Sequence, residues 1–417
     1  MQIPPFSFGF GDRFSLHGHA FVKAIKELQA NGINIFPVWN KSHTEYKSTA
    51  DTPKQMYLSI KNCAQEASLN QGFGFDADHV TMENIDRYIA DCDYFTIDVS
   101  NYIRKLAPYD EMDTFIKGNQ RYIGRLEVPG MNDAFHVFEN VITSYAGMYL
   151  LAAKKAGELY HYIKEKKADK PFITEISMDE VNYSHSPLEL FFILNALSFY
   201  DVKFQLISPK FIGRFNKNID YVGKLPQFEA ELDMYIKIIK FAVDEFGLDP
   251  SLKLSLHSGS DKFSVYPIIN KMLRKHQVGI HVKTSGIGWL SSLIVLASKG
   301  GENLDMVKTF YTEAYQDFSN IITHYDKVTD INKSKLPTEE EIKTWSAEKF
   351  VRALDNTVSD QGYNPTLRQF MACAYGVVAN KRDKYEKAVK DHLEEIDHKI
   401  AYYLVELHLK PLFAGVN

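Results

Sequence analysis

The sequence predicts an α/β chain that closes as a (β/α)8 TIM barrel with a C-terminal helical extension. Three observations predict it. Strand-like runs occur at 6–11, 34–39, 72–77, 94–99, 172–177, 203–208, 253–258 and 279–284. Helical patterns separate them, and strands alternating with helices mark parallel βαβ units, eight of which can close a barrel. Ionisable residues gather at the C-terminal ends of the runs, where such barrels carry their chemistry. A doubly wound open sheet is the alternative, but it usually brings a nucleotide loop. GFGDRF lacks the third glycine of a dinucleotide fingerprint, GIGW has Ser291 where the last glycine should stand, and no Walker lysine pattern exists.

Taken in order, FSFGFG is followed by a helical pattern with Phe21, Ile25 and Leu28 on one face. NIFPVW, GFGFDA and YFTIDV continue the strand series. After FITEIS, Pro187 opens a helix over 188–198 at a favoured first position. KFQLIS precedes a helix over 228–246. In KLSLHS, Leu254 and Leu256 alternate with Ser255 and His257; in GIHVKT, Ile280 and Val282 alternate with His281 and Lys283. This period of two gives each run one apolar and one polar side. Helices over 267–275 and 290–297 complete the repeat.

The stretch from Val99 to Phe172 is too long for one crossover. An insertion near 101–135 is expected as an excursion at the barrel mouth, leading into a long helix over 132–164. Past Gly301 the strand signals stop, and 304–324, 338–354, 365–378 and 382–409 read as helical. The expected division is a catalytic barrel over 1–300 and a helical extension over 301–417. The extension packs on the barrel or forms an oligomer surface.

A composition of 45% hydrophobic and 24% charged residues is that of an ordinary globular protein. A net charge of -5 provides no basic field for nucleic acid. No apolar run approaches the roughly 20 residues of a membrane span, and the N-terminus lacks a signal-peptide pattern. Cys63, Cys92 and Cys373 are scattered, without a CxxC pair. They read as buried thiols in a reducing compartment, and the chain as cytoplasmic.

The strand ends carry the chemistry. His79, His257 and His281 follow the third, seventh and eighth runs. Three imidazoles around a divalent cation, with positions left open, form a recurrent catalytic arrangement. Zinc, manganese, nickel and iron all accept imidazole, so the ion's identity stays open. Glu175, on the polar side of its strand, is a fourth ligand or a general acid/base. Asp78, beside His79, orients a ligand or takes a proton. Lys210, Arg214 and Lys217 form a candidate anion clamp. Asp12, Arg13, Lys41, Lys262 and Lys283 are further candidates for substrate binding. The histidines in helical patterns, His324 among them, read as surface or packing residues.

Ten blocks carry a resemblance to a known family: FGFGDRF, FPVWNKSH, FDADHV, YFTIDV, EISMDEV, ELFFILNAL, SPKFIGRFNKNIDYVG, LKLSLHSGSDKFSVYP, HVKTSG and YNPTLRQ. They resemble the tagaturonate (fructuronate) epimerase family of bacterial hexuronate breakdown, over about 6–378. The resemblance implies a metal-dependent enzyme interconverting D-tagaturonate and D-fructuronate. It implies Asp78 as proton acceptor and Glu175 as first choice of proton donor, with Glu180 second. It implies His79, His257 and His281 as metal ligands. The inverted carbon of such a substrate is β to the ketone, so its hydrogen is not acidified. A retro-aldol route avoids that barrier. A ketose isomerase or aldolase, or a sugar-acid binding protein without turnover, are the alternatives.

Overall fold

A computed structural model describes residues 3–69, 71–357 and 362–416. Ten strands occur among them: β1 Phe6–Gly11, β2 Phe36–Ser42, β3 Gly74–Val80, β4 Tyr94–Asp98, β5 Gly124–Leu126, β6 Phe135–Val137, β7 Ile173–Ser177, β8 Leu206–Ser208, β9 Lys253–Leu256 and β10 Ile280–Lys283. Eight of them close a barrel in the order β1-β10-β9-β8-β7-β4-β3-β2, every pair parallel. These are the eight runs read from the sequence. β2 and β3 extend past those runs at their C-terminal ends, and β8 is only the last half of its run.

Alternation sorts the side chains. Phe8 and Phe10 of β1 join the large core between barrel and helices, whereas Phe36, Val38, Tyr94, Ile173 and Leu206, with Ile3, form a separate apolar cluster. That cluster is the floor of the barrel interior. Above it the interior turns polar, with Ser7, Asp76, Thr96, Glu175, Ser255, His281 and Lys283 all buried. Gly9 lies on the inner side of β1, where a Cβ would meet Asn40 Oδ1 at 2.6 Å and Lys283 Cα at 3.1 Å. Glycine leaves room there for the lysine of the adjoining strand.

The outer helices start where their residues say they should. Ser186 caps Pro187–Phe199 in a capping box with Glu189, and Pro187 holds the first turn. The insertion after β4 packs along the outer helices, while its Arg104 stacks on Tyr183 in the loop after β7. Its helix Tyr109–Asn119 stacks Phe115 edge-on against Phe199, and Tyr122 meets Phe246, at ring distances of 5.6 and 6.4 Å. Phe199 and Phe246 end the helices Pro187–Phe199 and Leu225–Phe246, so these contacts lie toward the opposite end of the barrel. β5 and β6 pair as a small antiparallel hairpin before the long helix Glu139–Lys167.

The helices beyond Gly301 share the barrel's core. Phe14 and Trp289 pack on Tyr385, and Trp289 Nε1 donates to the Met371 carbonyl at 2.7 Å. A buried ion pair also ties the two regions together. Arg368 donates to Asp261, in the loop after β9, through Nε and Nη2 at 3.1 and 2.8 Å, and Tyr403 donates to the same carboxylate at 2.8 Å. Arg368 is 1% exposed and Asp261 0%. Arg368→Met is expected to destabilise the fold by about 3–5 kcal/mol, because it strands a buried carboxylate. Urea denaturation reads this directly, and a midpoint equal to wild type would show the pair to be dispensable. Among the described residues no helix is long and apolar enough to cross a membrane.

Candidate active site

A cavity of about 290 Å³ opens at the C-terminal ends of the strands. Its wall includes Asp78, His79, Asp98, Asp179, Glu180, His257 and Lys283. A larger groove, about 1010 Å³, lies at the opposite end among residues such as Ile236, Ile239 and Leu273. Neither of the ligand clusters described below reaches it, and barrel chemistry belongs at the C-terminal end.

Lys283 organises the floor of the cavity. Its ammonium lies 2.7 Å from Asp76, 2.8 Å from Asp78 and 3.5 Å from Glu175, and it also donates to Thr96. Burial opposes its charge, but Asp76, Asp78 and Glu175 together hold its pKa above the ordinary lysine range. The carboxyls respond unequally. Burial pushes Asp76 up to about 7 against the pull of Lys283. Burial also opposes the charge of Asp78, yet Lys283, then His79 and His257, bring it down to about 2. Asp78 is therefore an ionised acceptor at neutral pH.

His79 reaches the cavity through a break in the strand. Simple alternation would put Asp78 and His79 on opposite faces. β3 and β4 shift register between Ala77 and Val80, and His79 takes a left-handed φ of 54°. Such a bulge re-aims a side chain, and φ in this region costs a non-glycine residue about 1 kcal/mol or more. The ring then lies 5.2 Å from that of His257, with Nδ1 3.2 Å from Asp98 Oδ2. His257 bonds through Nε2 to Glu175, and its Nδ1 lies 3.1 Å from Asp179. Burial opposes protonation of both rings. Asp179, then Glu175, lifts His257 to about 9; Asp78, the Asp98 hydrogen bond and Glu180 lift His79 well above its usual value.

One donor atom each from His79, Asp179 and His257 lies within 4.8 Å of the others, and His79, Asp98 and Glu180 form a second such group. Two ligands on opposite sides of an ion, each at about 2.1 Å, would be ~4.2 Å apart, so either set is within a small side-chain adjustment of holding a first-row divalent cation. Charge points the same way. Asp76, Asp78, Asp98, Glu175, Asp179 and Glu180 cluster about Lys283, His79 and His257, with Lys217 a second lysine on the wall, an acidic excess that a cation would offset.

The structure does not bring His281 into this group. It pairs in register with Ser255, two residues before His257. Two residues of strand are about 6.6 Å, so its ring sits one inward layer deeper. Nδ1 is 2.9 Å from Ser7 Oγ, and Nε2 is buried without a hydrogen-bond partner. Glu175 is also below the cavity wall, with its oxygens taken by His257 and Tyr94. Glu180 lines the cavity, and burial, then repulsion from Asp98 and Asp179, raises its pKa although His79 opposes.

Of the substrate-binding candidates, Lys217 and Lys283 line the cavity. The others do not line it. Asp12 accepts from the His17 backbone at 2.8 Å. Arg13 pairs with Glu45 at 3.1 Å and stacks on Tyr375. Lys41 bonds Asp51 and the Arg13 carbonyl, each at 2.6 Å. Lys262 is spent on the carbonyls of Asn216, Ile219 and Ser260. Lys210 does not line the cavity. Arg214 pairs on the surface with Asp330 at 2.5 Å, so the three-residue clamp does not assemble. His324, read as a packing residue, lines the cavity with Tyr325. Nothing in the helical pattern around them signals this. Asp98 and Asp179 stand at strand ends, which is the signal that finds them.

A curated tagaturonate/fructuronate epimerase of Thermotoga maritima is 28% identical, over 97% of this chain and 79% of its own length. The glycerol-complexed crystal structure of a fructuronate-tagaturonate epimerase from Cohnella laeviribosi superposes with a TM-score of 0.79 at 22% identity, over 99% of this chain and 82% of that one. Its native form gives 0.78 at 23% identity, with the same coverage. The family model described as tagaturonate epimerase matches residues 2–410. The chain therefore belongs to the tagaturonate epimerase family and is an isomerase.

Proposed function

We propose that the chain interconverts D-tagaturonate and D-fructuronate by retro-aldol cleavage and re-addition, with a divalent cation as cofactor. The observation that carries this reading is the convergence of Asp78, His79, Asp179 and His257 on one cavity in a member of this family. A cation held by His79, His257 and Asp179 would supply Lewis-acid polarisation of the ketone.

The chain's own residues account for the proton transfers. Asp78 accepts the proton of the hydroxyl on the carbon β to the ketone. The bond between α and β carbons breaks, its electron pair stays on the ketone fragment as an enediolate, and the β carbon becomes an aldehyde. The aldehyde turns, and the bond re-forms on its other face. The new hydroxyl points away from Asp78, so a second carboxyl supplies its proton. Glu180 suits this role, because it lines the cavity and its pKa is raised. Glu175 acts from below by orienting His257. Lys283 keeps Asp78 ionised between turnovers.

Purified protein with added divalent metal should convert D-tagaturonate to D-fructuronate, followed by NMR. Asp78→Asn is expected to lower kcat by about 10²–10⁴-fold, the usual reach of a general base. Wild-type kcat in that variant would remove Asp78 from the mechanism. Labelled half-fragments should exchange between substrate molecules; solvent deuterium at the inverted carbon would instead rule out cleavage.

A further inference from the structure

We infer that Lys217 anchors the substrate's carboxylate and thereby keeps the aldehyde half of the cleaved substrate in the site; this rests on the reaction proposed above. Lys217 comes from the loop after β8, and Tyr325 and Val328 from the segment after the helix Phe318–Thr323. All three line the cavity. The Lys217 backbone N–H donates to the Val328 carbonyl at 2.9 Å, and its ammonium lies 5.1 Å from the centre of the Tyr325 ring. Tyr325 is itself held by a hydroxyl–hydroxyl bond of 2.7 Å to Tyr375.

Charge then decides the substrate's direction. Asp78, Asp98, Asp179 and Glu180 on the cavity wall repel a carboxylate, Glu45 on the Tyr325 side is neutralised by Arg13 at 3.1 Å, and Lys283 is already committed to Asp76 and Asp78. Among the described residues lining the cavity, Lys217 is the lysine with no carboxylate in ion-pair range. A sugar acid therefore enters with its carboxylate toward Lys217 and Tyr325 and its ketone toward His79 and His257.

Cleavage of the six-carbon keto acid between the α and β carbons leaves the enediolate of dihydroxyacetone and 2-hydroxy-3-oxopropanoate. The carboxylate belongs to the second fragment, the one that must turn. Epimerisation without net cleavage requires that fragment to rotate and not to leave. An ammonium at its far end, beside an aromatic face that limits water, allows the first and opposes the second.

The test uses the full chain, loaded with metal, and D-tagaturonate. KM is measured together with the dihydroxyacetone released per epimerisation, trapped with a carbonyl reagent. Lys217→Met is expected to raise both about tenfold or more, and Lys217→Arg to keep both within about threefold of wild type. Unchanged KM and unchanged release in Lys217→Met overturn the anchor. If KM rises in Lys217→Met while neither protein ever releases or exchanges fragments, the cleavage reading falls and the carboxylate contact stands.

Discussion

His79→Ala and His257→Ala are expected to strip a bound divalent metal and to lower kcat/KM by at least roughly a hundredfold, whereas His281→Ala keeps its metal. Loss of even an outer partner of a metal ligand usually costs about 10–100-fold, and these two imidazoles are proposed to touch the ion. Their donor atoms and that of Asp179 lie within 4.8 Å of one another. His281 differs because register with Ser255 holds it a layer lower, with Nδ1 on Ser7. Metal content after dialysis, measured by atomic emission, separates the cases. If His281→Ala loses metal as completely as the other two, the ligand set is the three histidines implied by resemblance, and Asp179 is not the third ligand.

Lys283→Met is expected to destabilise the fold by about 3–5 kcal/mol, with activity lost as well. The lysine is buried, and removing it leaves Asp76, Asp78 and Glu175 facing one another without their shared cation. Asp76 already sits near neutrality, held up by burial to about 7. Adding Asp76→Asn to Lys283→Met should therefore recover part of the stability but none of the activity, since Asp78 still lacks the charge that keeps it an acceptor. A urea midpoint for the single variant equal to wild type would mean that the carboxyls find another partner. A double variant no more stable than the single one would show that Asp76 is not the source of the repulsion.

The site was partly legible in the chain. Strand parity puts Glu175, His257, His281 and Lys283 on the inner side, and they are there. Parity does not measure depth. Whether His281 stands level with His257 depends on the stagger between β9 and β10, which no single strand encodes. Nor does standing at a strand end mean facing the cavity. Lys41 turns to Asp51 and Lys262 to three backbone carbonyls, because each neighbouring loop offers acceptors nearer than the mouth. His79 enters through a bulge that alternation would have denied it. His324 and Tyr325 arrive from a region whose local pattern is only helical.

Local chemistry along the chain, then, was enough for the eight strands, their order of helices and the acidic, imidazole-bearing rim, because period-two alternation and capping act over a few residues. Only the closed barrel decided which of those groups meet. Ligand sets and charge pairs depend on distances of a few ångströms between residues far apart in sequence, and those distances are set by stagger, bulge and packing together.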